Sequence, residues 1–264
     1  MKSLRGQELA DYVKERQVGE VRRLRARGVV PKLVIFYDND SPVILKYVGL
    51  KQEYGMDIGV EVEVVRLSAA DAEEQVSEVA GDGSVHGMIV QLPLKVVDEG
   101  ILGLIPVEKD VDGLNGGFDS ATAEAVNWLL SGHGVELAGK RIAVVGQGRL
   151  VGGPLMRMWG ESGYDVVGFA KGDDLSVLRD FDVIVSATGV SGLIKSEMVG
   201  AGAVVIDGGT ASEGGALVGD VDEVVRARDD VVMTPKIGGV GPLTVAVLFE
   251  HVVRAGGGES KKKA

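Results

Sequence analysis

Arg141-Ile-Ala-Val-Val-Gly146-Gln147-Gly148-Arg149-Leu-Val151-Gly152-Gly-Pro154 runs from a β-rich pentapeptide through a glycine-rich turn into a helix start. Glycines at 146, 148 and 152 let the backbone turn tightly and approach a phosphate, and the free N–H groups of the helix that follows carry partial positive charge. The segment reads as a nucleotide-binding turn, although its last glycine comes one residue later than in G-x-G-x-x-G. Three later runs end in small residues: Ser186-Ala187-Thr188-Gly189, Asp207-Gly-Gly209-Thr210, and Thr234-Pro-Lys-Ile-Gly-Gly239-Val-Gly-Pro242-Leu-Thr244. Ligands of open α/β sheets bind at the carboxyl ends of strands, where small side chains leave room for a ribose and a nicotinamide. Each of these runs, taken alone, reads equally well as a tight turn.

Around this turn, strands are expected at residues 141–145, 165–169, 183–186, 203–207 and 231–233, with helices at 121–130 and from about 154. That is the pattern of a Rossmann half. The first part of the chain repeats the alternation. Leu9, Val13, Val21 and Leu24 have helical spacing, and Asp40-Ser41-Pro42 looks like a helix start with proline in the first turn. Helices are expected at 7–27, 43–54, 69–79 and 96–104, with strands at 33–37, 60–65 and 85–90. A last helix spans about 242–254. The fold class is α/β, with parallel sheets covered by helices on both faces. The expected division is 1–115, then a Rossmann domain at 116–241, then a helix at about 242–256 and a flexible tail at 257–264.

The 264 residues allow two modest domains, and a 45% hydrophobic share supports ordinary cores. There is no cysteine, which excludes disulfides and thiolate chemistry, and the net charge of −11 argues against nucleic acid or anionic membrane as a partner. No apolar run approaches the ~20 residues of a bilayer span, and the N-terminus lacks a signal-peptide core. A soluble, cytoplasmic protein is expected. His86, His133 and His251 form no ligand pattern, so they are read as structural or surface groups, with no metal.

Four further residues suggest chemistry. Tyr47 and Lys51 are four apart on one expected helix and share its face. Gln91 ends an apolar strand, and Asp112 lies in Lys109-Asp-Val-Asp-Gly113. Individually these are ordinary: a helical lysine is usually a solvated charge, and a polar group after a strand is often a loop anchor. The residues alone reach a nucleotide domain beside a second α/β domain with polar candidates, and no substrate.

Taken in order, the segments resemble the bifunctional methylenetetrahydrofolate dehydrogenase/cyclohydrolase (FolD) family. The matching residues are Asp40-Ser-Pro42 with Tyr47-Val-Gly-Leu-Lys51; Gly87-Met-Ile-Val-Gln-Leu-Pro-Leu94; Lys109-Asp-Val-Asp-Gly113; Gly146 with Val151-Gly152 and Pro154; and Gly238-Gly-Val-Gly-Pro-Leu-Thr244. The late glycine fits that family's turn. The resemblance implies two α/β domains flanking a cleft, the last helix returning to the first domain, and a homodimer. It puts the catalytic lysine at Lys51, the folate-stacking tyrosine at Tyr47, the lysine-supporting glutamine at Gln91 and the pterin-binding aspartate at Asp112, with Gly239 and Pro242 as further substrate contacts. The implied cofactor is NADP, with NAD as the alternative, and the implied substrate is a tetrahydrofolate derivative. The nucleotide would lie on Gly146, Gln147, Gly148, Arg149, Val151, Gly152, Ala187, Thr188, Gly189, Gly209 and Thr210. The family's arginine and serine are replaced by Gln147 and Gly148, so Lys171, with Arg149 as helper, is the expected contact to a 2′-phosphate; Asp173 and Asp174 would oppose it if they faced it. Two other readings remain: a shikimate dehydrogenase-like oxidoreductase, and a non-catalytic folate- or nucleotide-binding protein.

Overall fold

The computed structural model describes residues 3–209, 211–213 and 216–258, with backbone alone between 211 and 217. The chain divides into two compact units. One takes Asp11–Ala121 and the residues from Val245 onward; the other takes the residues up to Ala10 and Thr122–Thr244. The elements of the first part are α1 (Gly6–Ala26), β1 (Lys32–Tyr37), α2 (Pro42–Ile58), β2 (Glu61–Arg66), α3 (Ala72–Gly81) and β3 (Gly87–Val90). The Ser41 hydroxyl accepts the Ile44 N–H to open α2, proline occupies its first turn, and Gly59 at φ 84° closes it in the left-handed conformation. The three strands form a parallel sheet in the order β2-β1-β3. Its central strand buries Leu33, Val34, Ile35 and Phe36 completely, as a strand covered on both faces must. Gly87 starts β3 because a Cβ there would crowd Val111 and Val252 at 3.0 Å.

The helix expected at 96–104 is instead a 3-10 turn at Glu99–Leu104. The N–H groups of Lys95, Val96 and Val97 are drawn onto the Asp38 carboxylate at 2.7–2.8 Å, which holds the segment extended. Gly100 and Gly103 further disfavour a regular helix.

The second part continues with α4 (Ala121–Gly132), β4 (Arg141–Val145), α5 (Gly152–Glu161), β5 (Asp165–Phe169), β6 (Val183–Ser186), β7 (Val204–Asp207), β8 (Ala211–Glu213), β9 (Ala216–Val218), α6 (Glu223–Arg226), β10 (Val232–Met233) and α7 (Val240–Gly256). Five strands form a parallel sheet in the order β10-β7-β6-β4-β5. The antiparallel β8–β9 pair was not expected, because three-residue strands are too short to show a period of two. The opening residues join this unit because Ser3 bridges Met233 and the Leu4 N–H donates to the Met233 carbonyl at 3.0 Å.

The later part of α7 joins the first unit through a buried polar and aromatic contact. The Tyr54 hydroxyl donates to Gln17 Oε1 at 2.8 Å, Gln17 Nε2 donates to the Ala246 carbonyl at 2.8 Å, and the Tyr54 and Phe249 rings stack at 5.0 Å. Gly55 makes that approach possible. A Cβ on it would fall 2.3 Å from Val62 Cγ2 and 3.1 Å from the Phe249 ring. Gly55→Ala is therefore expected to destabilise the chain by about 1–3 kcal/mol despite alanine's better helix propensity. A native or raised midpoint in thermal unfolding would show that this contact has slack.

Candidate active site

Both sheets wind in the same way. In the first, β1 lies between β2 and β3; in the second, β4 lies between β5 and β6, and β7 and β10 follow. Loops on either side of the central strand part in opposite directions, which opens a crevice at the carboxyl ends of the strands. In the first unit that crevice lies after β1 and β3, where the sequence-flagged residues collect. Lys51, from α2 after β1, donates from Nζ to Gln91 Oε1 at 2.6 Å, immediately after β3. Gln91 Nε2 donates to the Leu92 carbonyl at 3.2 Å, which leaves the amide oxygen for the lysine. Tyr47 is half-buried one turn earlier on α2.

The Lys109–Gly113 motif separates into groups bonded within the protein and one carboxylate, that of Asp112, that is not. Lys109 caps the end of α3, donating to the carbonyls of Ala80 at 2.8 Å and Asp82 at 2.7 Å. Buried Asp110 accepts the Asn115 N–H and closes the turn. Gly113, at φ 77°, is required because a Cβ would meet the Asp119 carbonyl at 2.3 Å. Asp112 is fixed by its backbone: the Ala121 N–H donates to its carbonyl at 3.3 Å, and His251 Nδ1 donates to the preceding Val111 carbonyl at 2.8 Å. His251 is fully buried and stacks on Phe118 at 4.5 Å, a structural role in keeping with the sequence reading. Among the described residues, the Asp112 carboxylate itself makes no hydrogen bond, so its acceptors are available for a ligand.

Burial and charge set the protonation of this cluster. Burial pushes the Lys51 ammonium below the ordinary lysine range, and the Asp112 carboxylate opposes that fall. Burial pushes the Asp112 carboxyl up; Lys51 opposes the rise and Asp110 adds to it. Asp38, which sequence reading missed, organises the loop beyond Gln91. Burial would raise its carboxyl, but the Val96, Val97 and Lys95 N–H bonds hold it below the usual range. Only its place at the end of β1 could have flagged it.

In the second unit, Gly146 at φ 87° turns the chain after β4, and a Cβ on it would fall 2.7 Å from the Ala187 carbonyl, beyond β6. Gly152 opens α5 so close that a Cβ would fall 1.8 Å from the Gly146 carbonyl oxygen. Gly148 and Gly189 face open space. These positions form a cradle at the crevice beside β4, with Gln147, Arg149 and Val151 in the same turn. The Gln147 amide lies over Gly168 of β5, where a Cβ would meet Nε2 at 2.7 Å. Lys171 is exposed on the loop after β5. Asp173 accepts the Ala170 N–H at 2.7 Å and Asp174 the Ser176 N–H at 2.9 Å, so both acids bind their own loop. Gly209 leaves room for the Asp220 carboxylate, and Thr210 lies outside the described residues. Gly239 and Pro242 group with this unit, at the start of α7. Among the described residues, no group of three or more His, Cys, Asp or Glu could hold a metal, and no helix is long and apolar enough to cross a membrane.

The model of the tetrahydrofolate dehydrogenase/cyclohydrolase catalytic domain matches residues 4–112, and that of the family's NAD(P)-binding domain matches residues 120–259. The bifunctional protein FolD of an Exiguobacterium species is 36% identical over 94% of this chain and 96% of its own length. A crystal structure of the bifunctional FolD enzyme from Campylobacter jejuni superposes with a TM-score of 0.90 at 31% identity, covering 98% of this chain and 99% of that one. The Trypanosoma brucei enzyme, complexed with NADP and an inhibitor, gives 0.89 at 30% identity, covering 97% of each chain.

The Lys51–Asp112 pair makes a signed prediction. Asp112→Asn removes the carboxylate that favours the charged lysine, so Lys51 should lose its proton at lower pH than in the native chain. A ¹⁵N NMR titration of the Lys51 side chain reads this directly, and an unchanged or higher midpoint would refute the coupling.

Proposed function

The chain belongs to the tetrahydrofolate dehydrogenase/cyclohydrolase family, and on that premise we propose that it oxidises 5,10-methylenetetrahydrofolate with NADP and hydrolyses the resulting methenyl compound to 10-formyltetrahydrofolate, in one-carbon metabolism. The observation that carries this reading is the Lys51–Gln91 pair, a buried amine held by a neutral amide at a sheet crevice. The family match spans both units, which favours this reading over a shikimate dehydrogenase-like enzyme or a non-catalytic binder.

Hydrolysis adds water to the methenyl carbon. The water gives up one proton as its oxygen bonds to that carbon; the bond from the carbon to N5 then breaks, N5 takes a proton, and the new hydroxyl gives up its own to become the formyl C=O on N10, so that one proton is released overall. A group that exchanges protons near neutral pH speeds both steps. Lys51 suits this because burial lowers its pKa. A neutral amine donating one N–H to Gln91 Oε1 keeps its lone pair directed away from the amide and open to the water proton. Gln91 adds no negative charge that would hold the proton on. Asp112 accepts paired N–H bonds from the pterin, each worth roughly 1.5–3 kcal/mol when charge-assisted. Tyr47 stacks on the aminobenzoyl ring and sets its tilt, with Gly239 and Pro242 as further substrate contacts.

The dinucleotide fits the second cradle: a Cβ at Gly146 or Gly152 would fill the turn, and the N-terminus of α5 offers N–H groups to a pyrophosphate. When bound, NADP supplies the hydride acceptor. Gln147, Gly148, Arg149 and Val151 line the turn, Ala187–Gly189 and the Gly209–Thr210 stretch follow β6 and β7, and Lys171 neutralises the 2′-phosphate with Arg149 as helper. The loop bonds of Asp173 and Asp174 support that assignment.

Assays on native, Lys51→Met and Lys171→Ala protein test the proposal together. Native protein should oxidise methylenetetrahydrofolate more efficiently with NADP than with NAD. Lys51→Met should stay folded and lose hydrolysis by about 10²-fold or more, and Lys171→Ala should lose NADP use selectively. Full hydrolysis by Lys51→Met would remove that residue from the mechanism, and a native preference for NAD would sink the cofactor assignment. The family reading extends to a cytoplasmic homodimer, for which light scattering should give twice the 27.6 kDa chain mass; a single-chain mass would reject it.

A further inference from the structure

Asp220 is fully buried in the second unit, and no part of the mechanism above uses it. Three donors converge on its Oδ2: the Ser186 hydroxyl at 2.8 Å, the Thr188 N–H at 2.6 Å and the Thr188 hydroxyl at 2.9 Å. Its Oδ1 is buried without a partner among the described residues and lies where only glycine fits, 1.9 Å from the place a Cβ of Gly209 would take. The Asp220 backbone is tied down as well. Its N–H donates to Asp207 Oδ1 at 3.0 Å, its carbonyl accepts the Ile194 N–H at 3.0 Å, and Asp207 is paired with Arg226.

A residue that merely filled core would not be a carboxylate here. Burying a charge and leaving one oxygen unsatisfied both cost stability, and a neutral side chain of similar size avoids both. What this carboxylate does is gather the backbone and hydroxyl of Thr188 onto one oxygen. Thr188 follows the Ala187 carbonyl that Gly146 approaches, and it precedes Gly189 at φ 70°, which faces open space. We propose that Asp220 is a positioning residue of the nucleotide site, holding the Ala187–Gly189 segment against the Gly146 turn so that the dinucleotide meets a preformed edge. This rests on the dehydrogenase reading and deepens it. Asp220 acts through the residues it holds, Ser186 and Thr188, rather than by contact with substrate.

The test compares calorimetric NADP binding with cyclohydrolase activity in Asp220→Ala and Asp220→Asn. Lys51, Gln91 and Asp112, to which the hydrolysis is assigned, all lie in the 11–121 unit, so that activity serves as an internal control. Trp128 and Trp159 both lie in the 122–244 unit and report its folding by fluorescence. Asp220→Ala should weaken NADP binding about tenfold or more, with native tryptophan emission and a near-native hydrolysis rate, and Asp220→Asn should recover part of the loss. Native NADP affinity in Asp220→Ala overturns the proposal, and so does an equal loss of hydrolysis. If Asp220→Ala loses native emission, Asp220→Asn decides: weakened NADP binding with native emission supports the proposal, and native affinity overturns it. A native protein that binds NADP but leaves methylenetetrahydrofolate untouched would defeat the functional reading while leaving this comparison intact.

Discussion

A parallel sheet ends all its strands on one edge, and wherever the winding reverses, the loops on either side of the central strand part. Both units of this chain are built on that constraint. The three-stranded sheet reverses at β1, and the five-stranded sheet reverses at β4. The first crevice receives a lysine and an amide, and the second receives a turn of glycines. The two kinds of chemistry follow from what each unit places at the same topological position, which is why one fold class can host both.

At the first crevice, the groups around Lys51 divide their work between holding and reacting. Lys109 caps a helix, Asp110 closes a turn, His251 fixes the Val111 carbonyl, and Asp38 gathers three N–H groups beyond Gln91. Each of these polar groups is satisfied within the protein. Among the described residues the Asp112 carboxylate accepts no hydrogen bond, and Lys51 donates to the neutral Gln91 amide. Burial pushes both members of that pair toward their neutral forms while their mutual attraction resists. A change in the charge of either therefore shifts the other.

At the second crevice, the same logic appears with carboxylates in the supporting role. Asp207 and Asp220 are both buried beneath the loops after β6 and β7, with Arg226 paired to the former. Burial raises the Asp207 carboxyl, while the Asp220 N–H and Arg226 pull it back down. The glycines of that region therefore do two jobs. Gly146 and Gly152 permit close backbone approach, whereas Gly209 makes space for a carboxylate.

Strand and helix alternation, the parallel class and the nucleotide turn were legible in the chain because each is a local pattern: period, β-branched runs, and glycine at points of tight curvature. Tyr47, Lys51, Gln91 and Asp112 were legible from the residues only as polar candidates, and roles came to them only through resemblance to a family, since nothing local separates a buried lysine from a solvated one. The 3-10 turn at Glu99–Leu104 was misread because its cause, the Asp38 carboxylate, lies about sixty residues away in the sequence. Asp220 was invisible for the same reason. Its partners come from β6 and the loop after it, more than thirty residues earlier, and no spacing in the chain announces that they meet. Local physics writes itself into sequence as periodicity and punctuation; which buried charges face one another depends on how the strands are ordered, and that order exists only after the sheets have formed.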